Sequence, residues 1–348
     1  MDTMDAFVYY GVRDIRRERR PLPVVARDGV IVRVARAGVC GSDIHYFLDG
    51  RVGNSVPRMP YVLGHEISGE VVEVGTEVRN LAVGDRVIVE PTMTCGVCVP
   101  CRRGRYNLCL NNRTLGSASA TPHPDGGFAE FVGVPARNCF LLPASLTYQV
   151  GALVEPLAVG THAVNLAGGV GGRRVLITGA GTIGQTVLAN CLAMGAAKVA
   201  VTDISEFTRS FALAHGADAA FDPQSLRFDQ EMRDFVGDGF DVVFEASGVV
   251  PALQQGFDHA RRGGTIVQIG TLPETVTLAL NNLMSKEIRL VGSFRYANVF
   301  DVDLEMILNR RFALNDLVTH VFPFADTLKA MDAAVSRNGV LKVQISHE

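Results

Sequence analysis

The sequence lacks the features that mark several large classes of protein. Its 33 Lys and Arg against 36 Asp and Glu give a formal net charge of −3, without the basic surplus of a nucleic-acid-binding protein. No apolar run approaches the roughly 18 residues of a membrane span. Residues 1–10 show no charged segment followed by an apolar one, as a secretory signal has. We therefore expect a protein of the cytoplasm with no nucleic-acid or membrane partner.

The pattern of apolar residues predicts two domains, which is also what 348 residues favour over one core. In the first part, short alternating segments bounded by Gly or Asp predict the strands of a barrel or sandwich: 29–38, 67–75, 85–90 and 126–134. From about Gly151, apolar strands alternate with helix-length segments, such as a strand over 174–179 and a helix from Thr182 to Met194. This rhythm predicts an α/β fold with a parallel, doubly wound sheet.

Four of the seven cysteines lie in one short segment. Cys95, Cys98, Cys101 and Cys109 form the pattern C-x2-C-x2-C-x7-C. Each C-x2-C turn can bring two thiolates to one ion, and the fourth completes a tetrahedron around zinc. An iron–sulfur cluster, which is the alternative to zinc, uses similar spacing. The pattern therefore predicts a structural zinc site with no position left for substrate.

A second set of potential ligands is dispersed along the chain. Cys40 lies in GVCGSDIH, His65 and Glu66 lie in LGHEISGE, and Glu155 lies in ALVEPLAVG. Together they supply the thiolate, imidazole and carboxylate of an open catalytic zinc site. Singly, each has a plainer interpretation: a buried thiol, a core histidine, or, for Glu155, a helix start with Pro156 at its first position.

A glycine-rich turn predicts a dinucleotide site. The turn G-x-G-x-x-G consists of Gly179, Ala180, Gly181, Thr182, Ile183 and Gly184. It follows a predicted strand and opens a predicted helix, the context in which glycines let the backbone approach a pyrophosphate. Asp203 ends the next strand, 19 residues after Gly184. Its carboxylate can bind ribose hydroxyls and repels a 2′-phosphate, which favours NAD over NADP.

These motifs resemble the zinc-containing medium-chain alcohol dehydrogenases over essentially the whole chain. The resemblance rests on CGSDIH, GHEISGEVVEVG, GDRV, the four-cysteine lobe, GALVEPLAVG and GAGTIG, in that order. It implies a GroES-like β-barrel catalytic domain at 1–152 and 293–348, with the zinc lobe at about 91–112. A Rossmann NAD-binding domain would occupy 153–292, and the active site would lie in the cleft between the two. The resemblance also implies a homo-oligomer, either a dimer or a tetramer.

The same resemblance implies roles for the candidate site residues. Cys40, His65 and either Glu66 or Glu155 would bind the catalytic zinc. The ethanol-type branch has a cysteine where Glu155 stands, whereas in the sorbitol-type branch the Glu after the His is the ligand and the second Glu holds water. Both carboxylates therefore remain candidates. Ser42 would take the proton from the substrate hydroxyl, and His45 would pass it to solvent.

Other segments point to a polyol or sugar-acid substrate. HYFLDGRVGN and GSFRYAN are similar to sorbitol dehydrogenases, while LGSASATPHPDGGFAEF, LMSKEIRLVGSFRY and LKVQI look more like L-idonate 5-dehydrogenases. The resemblance thus implies oxidation of a sugar acid such as L-idonate, with a sorbitol or xylitol dehydrogenase as the alternative. Thr121, Arg295 and Tyr296 are the candidate substrate contacts.

A zinc-independent quinone reductase or a regulatory protein of the same superfamily is the competing class. Such proteins lose the catalytic ligands, and this chain retains them together with Ser42. The sequence therefore favours a zinc enzyme.

Overall fold

Two units make up the chain in the computed structural model, which describes residues 2–278, 280–309 and 314–348. The first unit is Met1–Glu155 with Leu314–Glu348, and the second is Pro156–Ala313. The domain limits that the family resemblance implies, at 152/153 and 292/293, stay a prediction.

Strands predominate in the first unit, whereas strands and helices alternate along the second. The strands are β1 (Thr3–Gly11), β2 (Asp14–Pro21), β3 (Gly29–Val39), β4 (Tyr61–Val62), β5 (Glu66–Val74), β6 (Arg86–Val89), β7 (Thr92–Met93), β8 (Arg113–Thr114), β9 (Phe131–Pro135), β10 (Cys139–Leu141), β11 (Arg174–Thr178), β12 (Lys198–Thr202), β13 (Ala219–Phe221), β14 (Phe240–Glu245), β15 (Ala260–Gln268), β16 (Arg289–Gly292), β17 (Val318–Pro323) and β18 (Lys342–Ser346). The α-helices are α1 (Gly41–Asp49), α2 (Val99–Arg102), α3 (Tyr148–Leu166), α4 (Thr182–Ala193), α5 (Glu206–Ala214), α6 (Phe228–Val236), α7 (Val250–His259), α8 (Leu280–Ser285), α9 (Phe300–Leu308) and α10 (Thr327–Ser336). Short 3-10 turns lie at Tyr106–Leu108, Ala136–Asn138, Leu314–Leu317 and Phe324–Asp326.

The described residues of the first unit form two larger β-sheets and a two-stranded one, β7-β8. The largest has the order β10-β6-β5-β3-β18-β17, with β9 also paired to β3, and the next has the order β2-β1-β4. On β3, Val30, Val32 and Val34 are all buried, as the two-residue period of a strand predicts. Because β18 runs antiparallel to β3, the last strand of the chain lies in the first unit.

The strand predicted over 126–134 is wrong in its first half. Strand β9 begins only at Phe131. The preceding glycines pack closely against another part of the chain: a Cβ on Gly126 would lie 2.1 Å from the backbone oxygen of Gly64. Glycine is needed at this position because two backbone segments approach each other closely, and not because the segment pairs as a strand.

The second unit is a doubly wound parallel sheet. Its strand order, β13-β12-β11-β14-β15-β16, is the 3-2-1-4-5-6 arrangement of dinucleotide-binding folds. Buried apolar clusters containing Val175 and Leu176, adjacent residues on β11, lie on opposite faces of the sheet, as expected for a central strand covered on both sides. The predicted helix from Thr182 appears as α4, and the predicted fold class is confirmed.

Helix α3 corrects one interpretation of Glu155. The helix begins at Tyr148, so Glu155 and Pro156 lie inside it and do not mark its start. Among the helices that the structure describes, none has both the length and the apolar character needed to cross a membrane.

A buried polar cluster joins three helices of the second unit. Asp303 on α9 is fully buried, and its Oδ1 lies 2.5 Å from the hydroxyl of Thr161 on α3. The same hydroxyl lies 2.7 Å from Oδ1 of Asn190 on α4. One hydroxyl hydrogen cannot serve both acceptors. A proton on Asp303 resolves the conflict, because Asp303 then donates to Thr161, which donates to Asn190. Burial raises the pKa of Asp303 to about 7.

We predict that Asp303→Asn flattens the dependence of stability on pH. The folded chain holds this proton more tightly than the unfolded chain, in which the pKa is near 3.8. The stabilisation is fully present below that value and is lost as pH rises through about 7, with an amplitude on the order of 4 kcal/mol at most. Thermal unfolding of both proteins from pH 5 to 8.5 measures the difference. Asp301→Asn, at an exposed position on the same helix, is the control. Parallel pH curves for wild type and Asp303→Asn would contradict the assignment.

Candidate active site

The four-cysteine lobe brings its thiols together in the geometry of a metal site. A ligand atom from each of Cys95, Cys98, Cys101 and Cys109 lies within 4.8 Å of all the others. The Sγ of Cys109 is 3.5 Å from that of Cys95 and 4.0 Å from that of Cys98, too far for disulfides. Four thiolates at 2.3 Å from one zinc ion would stand about 3.8 Å apart. The spacing therefore fits zinc.

Hydrogen bonds from the local backbone stabilise the thiolate form of two of these cysteines. Strands β7 and β8 pair with each other on either side of the segment and close it at its base. Hydrogen bonds from backbone N–H groups lower the pKa of Cys95 to about 6 and also lower the pKa of Cys98. Burial raises the pKa of Cys101 to about 12, so a bound cation would be needed to hold all four as thiolates.

The second constellation comes together at the start of α1 and of β5. Ligand atoms of Cys40, His65 and Glu66 lie within 4.8 Å of one another. His65 Nδ1 and Glu66 Oε2 are buried and have no hydrogen-bond partner within the described residues. Buried polar atoms without partners are rare. An imidazole and a carboxylate left in this state beside the half-buried thiol of Cys40 fit a catalytic zinc ion.

Electrostatics at this cluster also favour a cation. Burial by itself lowers the pKa of His65, but Cys40, Asp43 and Glu155 oppose it and leave the pKa well above its ordinary value. Asp43 is fully buried, and burial raises its pKa. Acidic side chains thus crowd around His65 in a region of low exposure, and a divalent cation would compensate for those that ionise.

Sequence reasoning missed two residues at this cluster. Asp43 accepts hydrogen bonds from the backbone N–H of Cys40 at 2.9 Å and of Gly64 at 3.3 Å, and its Oδ1 lies 3.9 Å from His65 Nδ1. It thereby ties together the two segments that carry the ligands. Its position three residues into α1, as in a capping box, is a signal that was readable. The other is Lys342, whose Nζ lies 2.7 Å from Glu66 Oε1, and no local motif marks it.

Glu155 and the two residues of the candidate proton relay, Ser42 and His45, lie outside the cluster of Cys40, His65 and Glu66 in the described residues. Glu155 is 8% exposed and close enough to raise the pKa of His65, yet within the described residues it is not part of the ligand cluster. Ser42 and His45 are three residues apart on α1, so they are neighbours on one face of the helix. His45 is partly exposed and bonds through Nδ1 to Asp49 at 2.8 Å. Their proposed roles stay predictions.

The glycine-rich turn of the second unit has the form that phosphate binding requires. Gly179 adopts a φ of 90°, and a Cβ there would lie 2.7 Å from the backbone of Ser247. A Cβ on Gly184 would lie 1.9 Å from the carbonyl oxygen of Gly179. Gly181 caps α4, with Thr182 and Ile183 in its first turn, so the N–H groups at the helix start face the turn.

Asp203 lies at the end of β12 beside this turn. One carboxylate oxygen accepts from the backbone N–H of Ala180 at 2.8 Å, and the other accepts from that of Ser205 at 2.9 Å. Each oxygen keeps a lone pair for a further donor such as a ribose hydroxyl. The nearby Arg209 donates a hydrogen bond to the backbone oxygen of Asp203 at 2.6 Å and forms an ion pair with Asp222 at 3.4 Å.

The candidate substrate contacts are not brought together within either unit. Thr121 lies in an exposed loop of the first unit. Arg295 and Tyr296 lie in the second unit, where Tyr296 is only 2% exposed and packs on Phe300. Arg295 is less buried and adopts a φ of 51°, an uncommon conformation for a residue other than glycine. All three assignments stay predictions.

Comparison with known proteins decides the family. Residues 26–144 match the model of the alcohol dehydrogenase GroES-like domain, and residues 182–309 match that of the zinc-binding dehydrogenases. The sorbitol dehydrogenase of Bacillus subtilis is 37% identical over 346 residues, which cover 98% of this chain and 97% of that protein. The chain belongs to the zinc-binding medium-chain alcohol dehydrogenases. The resemblance noted from its motifs is thus confirmed, and the zinc-independent alternatives are set aside.

Two solved structures of this family are similar to the chain throughout. L-idonate 5-dehydrogenase from Escherichia coli is 32% identical, with a TM-score of 0.93 over 99% of this chain and 98% of that one. A protein from Sinorhizobium meliloti 1021, described as a zinc-binding dehydrogenase and solved with NADP, is 31% identical, with a TM-score of 0.90 over 99% and 100% of the two chains. The chain therefore belongs with zinc-type dehydrogenases of the polyol and sugar group, a family in which neighbouring structures hold a nicotinamide dinucleotide.

Proposed function

We propose that this dehydrogenase oxidises a secondary hydroxyl of a sugar acid and reduces NAD, with L-idonate converted to 5-keto-D-gluconate. The cluster of Cys40, His65 and Glu66, of which the last two are buried, carries the proposal. Likeness to the E. coli L-idonate 5-dehydrogenase supports the sugar acid. The identity with sorbitol dehydrogenase supports the second candidate, a neutral polyol such as sorbitol or xylitol.

The residues of the first unit divide the work of the reaction. Cys40, His65 and Glu66 would hold zinc, and Glu155 beside them would orient water or substrate. Bound zinc supplies Lewis acidity toward the substrate hydroxyl, and bound nicotinamide accepts the hydride. Ser42 Oγ would accept the hydroxyl proton, and His45, which is partly exposed, would deliver it to solvent.

The choice of NAD over NADP rests on Asp203. Its carboxylate, already fixed by two backbone N–H groups, would accept from the ribose hydroxyls and repel a 2′-phosphate. Arg209, the nearby cation, is committed to Asp222 and to the backbone of Asp203. We further propose that the enzyme acts in the cytoplasm as a homo-oligomer, a dimer or a tetramer, as the family resemblance implies.

A carboxylate on the substrate needs a cationic partner, and Arg295 is our candidate. A guanidinium binds a carboxylate through two parallel hydrogen bonds, which a neutral polyol cannot accept in the same way. Thr121 and Tyr296 would contact the polyhydroxylated chain.

The rate of NADH formation by zinc-loaded enzyme tests the proposal. We expect kcat/KM for L-idonate to exceed that for D-sorbitol and xylitol at least roughly tenfold, or about 1.4 kcal/mol, and NAD to be preferred to NADP. Arg295→Leu should lower the rate with L-idonate more than the rate with sorbitol, with Arg295→Lys as the matched control. Higher kcat/KM for the neutral polyols would instead identify a sorbitol-type dehydrogenase.

A further inference from the structure

Lys342 is a buried cation beside the candidate zinc ligands. Its side chain is 4% exposed, and its Nζ lies 2.7 Å from Glu66 Oε1 and 3.1 Å from the carbonyl oxygen of Val39. A buried ammonium group is costly unless it is paired and hydrogen-bonded, and these two bonds meet that need. Such a pair is seldom the most stabilising choice for a core, so its position next to the ligand cluster calls for a functional explanation.

The pairing of three strands explains how Lys342 reaches Glu66. Strand β3 lies between β5 and β18, and Gly38 on β3 is paired with Glu66 on one side and with Gln344 on the other. A Cβ on Gly38 would lie 1.8 Å from Glu66 Oε2. The absence of a side chain at Gly38 therefore leaves the space in which the Glu66 carboxylate lies.

The two oxygens of Glu66 have different surroundings. Oε1 accepts the hydrogen bond from Lys342, whereas Oε2 is buried and has no hydrogen-bond partner in the part of the chain that the structure describes. Only Oε2 is left for a cation held with Cys40 and His65. A catalytic zinc site needs an open coordination position, and a carboxylate binding through both oxygens would fill it.

We propose that Lys342 is a positioning residue that restricts Glu66 to one-oxygen coordination of zinc and so keeps a coordination position open for the substrate. The inference rests on the proposed function, since it requires a metal at Cys40, His65 and Glu66. Lys342 would act through Glu66 alone, because its hydrogen bonds go to Glu66 and to Val39.

Cobalt(II) placed in this site tests the inference, because four-coordinate cobalt absorbs visible light more strongly than five-coordinate cobalt. The spectrum of Cys40→Ala, subtracted from each spectrum, removes the contribution of the four-cysteine lobe. In Lys342→Met we expect weaker absorption with the metal retained, and a fall in kcat/KM of roughly 10- to 100-fold. Lys342→Arg, which keeps a cationic donor, should retain the wild-type spectrum.

A second pair of variants separates positioning from a structural role. In a Glu66→Gln background, Lys342→Met should cause no further change in the spectrum, because an amide binds through its one oxygen in either case. Lys342→Gln replaces Lys342→Met if the latter does not fold. An unchanged spectrum, or loss of the metal from this site alone, overturns the inference. If Cys40→Ala binds as much metal as the wild-type chain, the proposed function is refuted instead.

Discussion

Replacing Cys40 with alanine is expected to lower kcat/KM by more than about a thousandfold while the chain stays folded. The thiol is one of three ligands in the buried cluster, and without it the site would lose its metal. Lewis-acid activation contributes several kcal/mol to such reactions, and each 1.36 kcal/mol is a factor of ten in rate. Zinc content should fall by one ion per chain, as measured by atomic absorption alongside turnover and thermal unfolding.

The matched control for this prediction is Cys139→Ala. Cys139 is a buried cysteine of the first unit that lies outside both candidate metal clusters in the described residues. Its replacement removes a more deeply buried sulfur than that of Cys40, and we expect full zinc content with a modest loss of stability. If Cys40→Ala retained wild-type turnover, the assignment of the catalytic metal site would be wrong.

Replacing Cys98 with alanine is expected to have the opposite pattern: a large loss of stability and a small loss of turnover per folded molecule. Zinc binding in sites of this kind is worth on the order of 10–16 kcal/mol apparent at neutral pH. Here it orders one lobe, so we expect Tm to fall by at least about 5 °C. Zinc content should again fall by one ion per chain. Unchanged stability with lost turnover would contradict a structural role for the lobe.

Together the two variants would distinguish the two candidate zinc sites, which a metal assay alone cannot separate. Each loses one ion, but only Cys40→Ala should lose the chemistry, and only Cys98→Ala should unfold much earlier on heating. The reason is geometric. The lobe offers four sulfurs to its ion, whereas the Cys40 cluster offers three ligands and leaves room for another.

Local features of this protein could be predicted from the sequence. The four cysteines span 15 residues, from Cys95 to Cys109, so short turns are enough to bring them together. The turn from Gly179 to Gly184 likewise depends on glycine conformations and on the helix that follows. In both, the residues that create the geometry are neighbours in the chain, and the spacing itself carries the information.

Where the prediction was wrong or silent, distant parts of the chain determined the structure. Gly126 lies in a loop because Gly64 packs against it, and nothing near residue 126 reveals that contact. The raised pKa of Asp303 depends on its burial beside Thr161 of α3, which is 142 residues away along the chain. The plainer alternative for Glu155, a helix start with Pro156 at its first position, is wrong because the helix has already begun at Tyr148.

By itself, the sequence determined the family, the two sets of candidate metal ligands and the nucleotide turn, because each is contained in short motifs. Only the tertiary structure decided which carboxylate joins Cys40 and His65. Strand pairing places Glu66 in that cluster and brings Lys342, 276 residues later, against one of its oxygens. Pairing across β3 depends on the register of a whole sheet, which is a cooperative property of many residues, and no motif at either end records it.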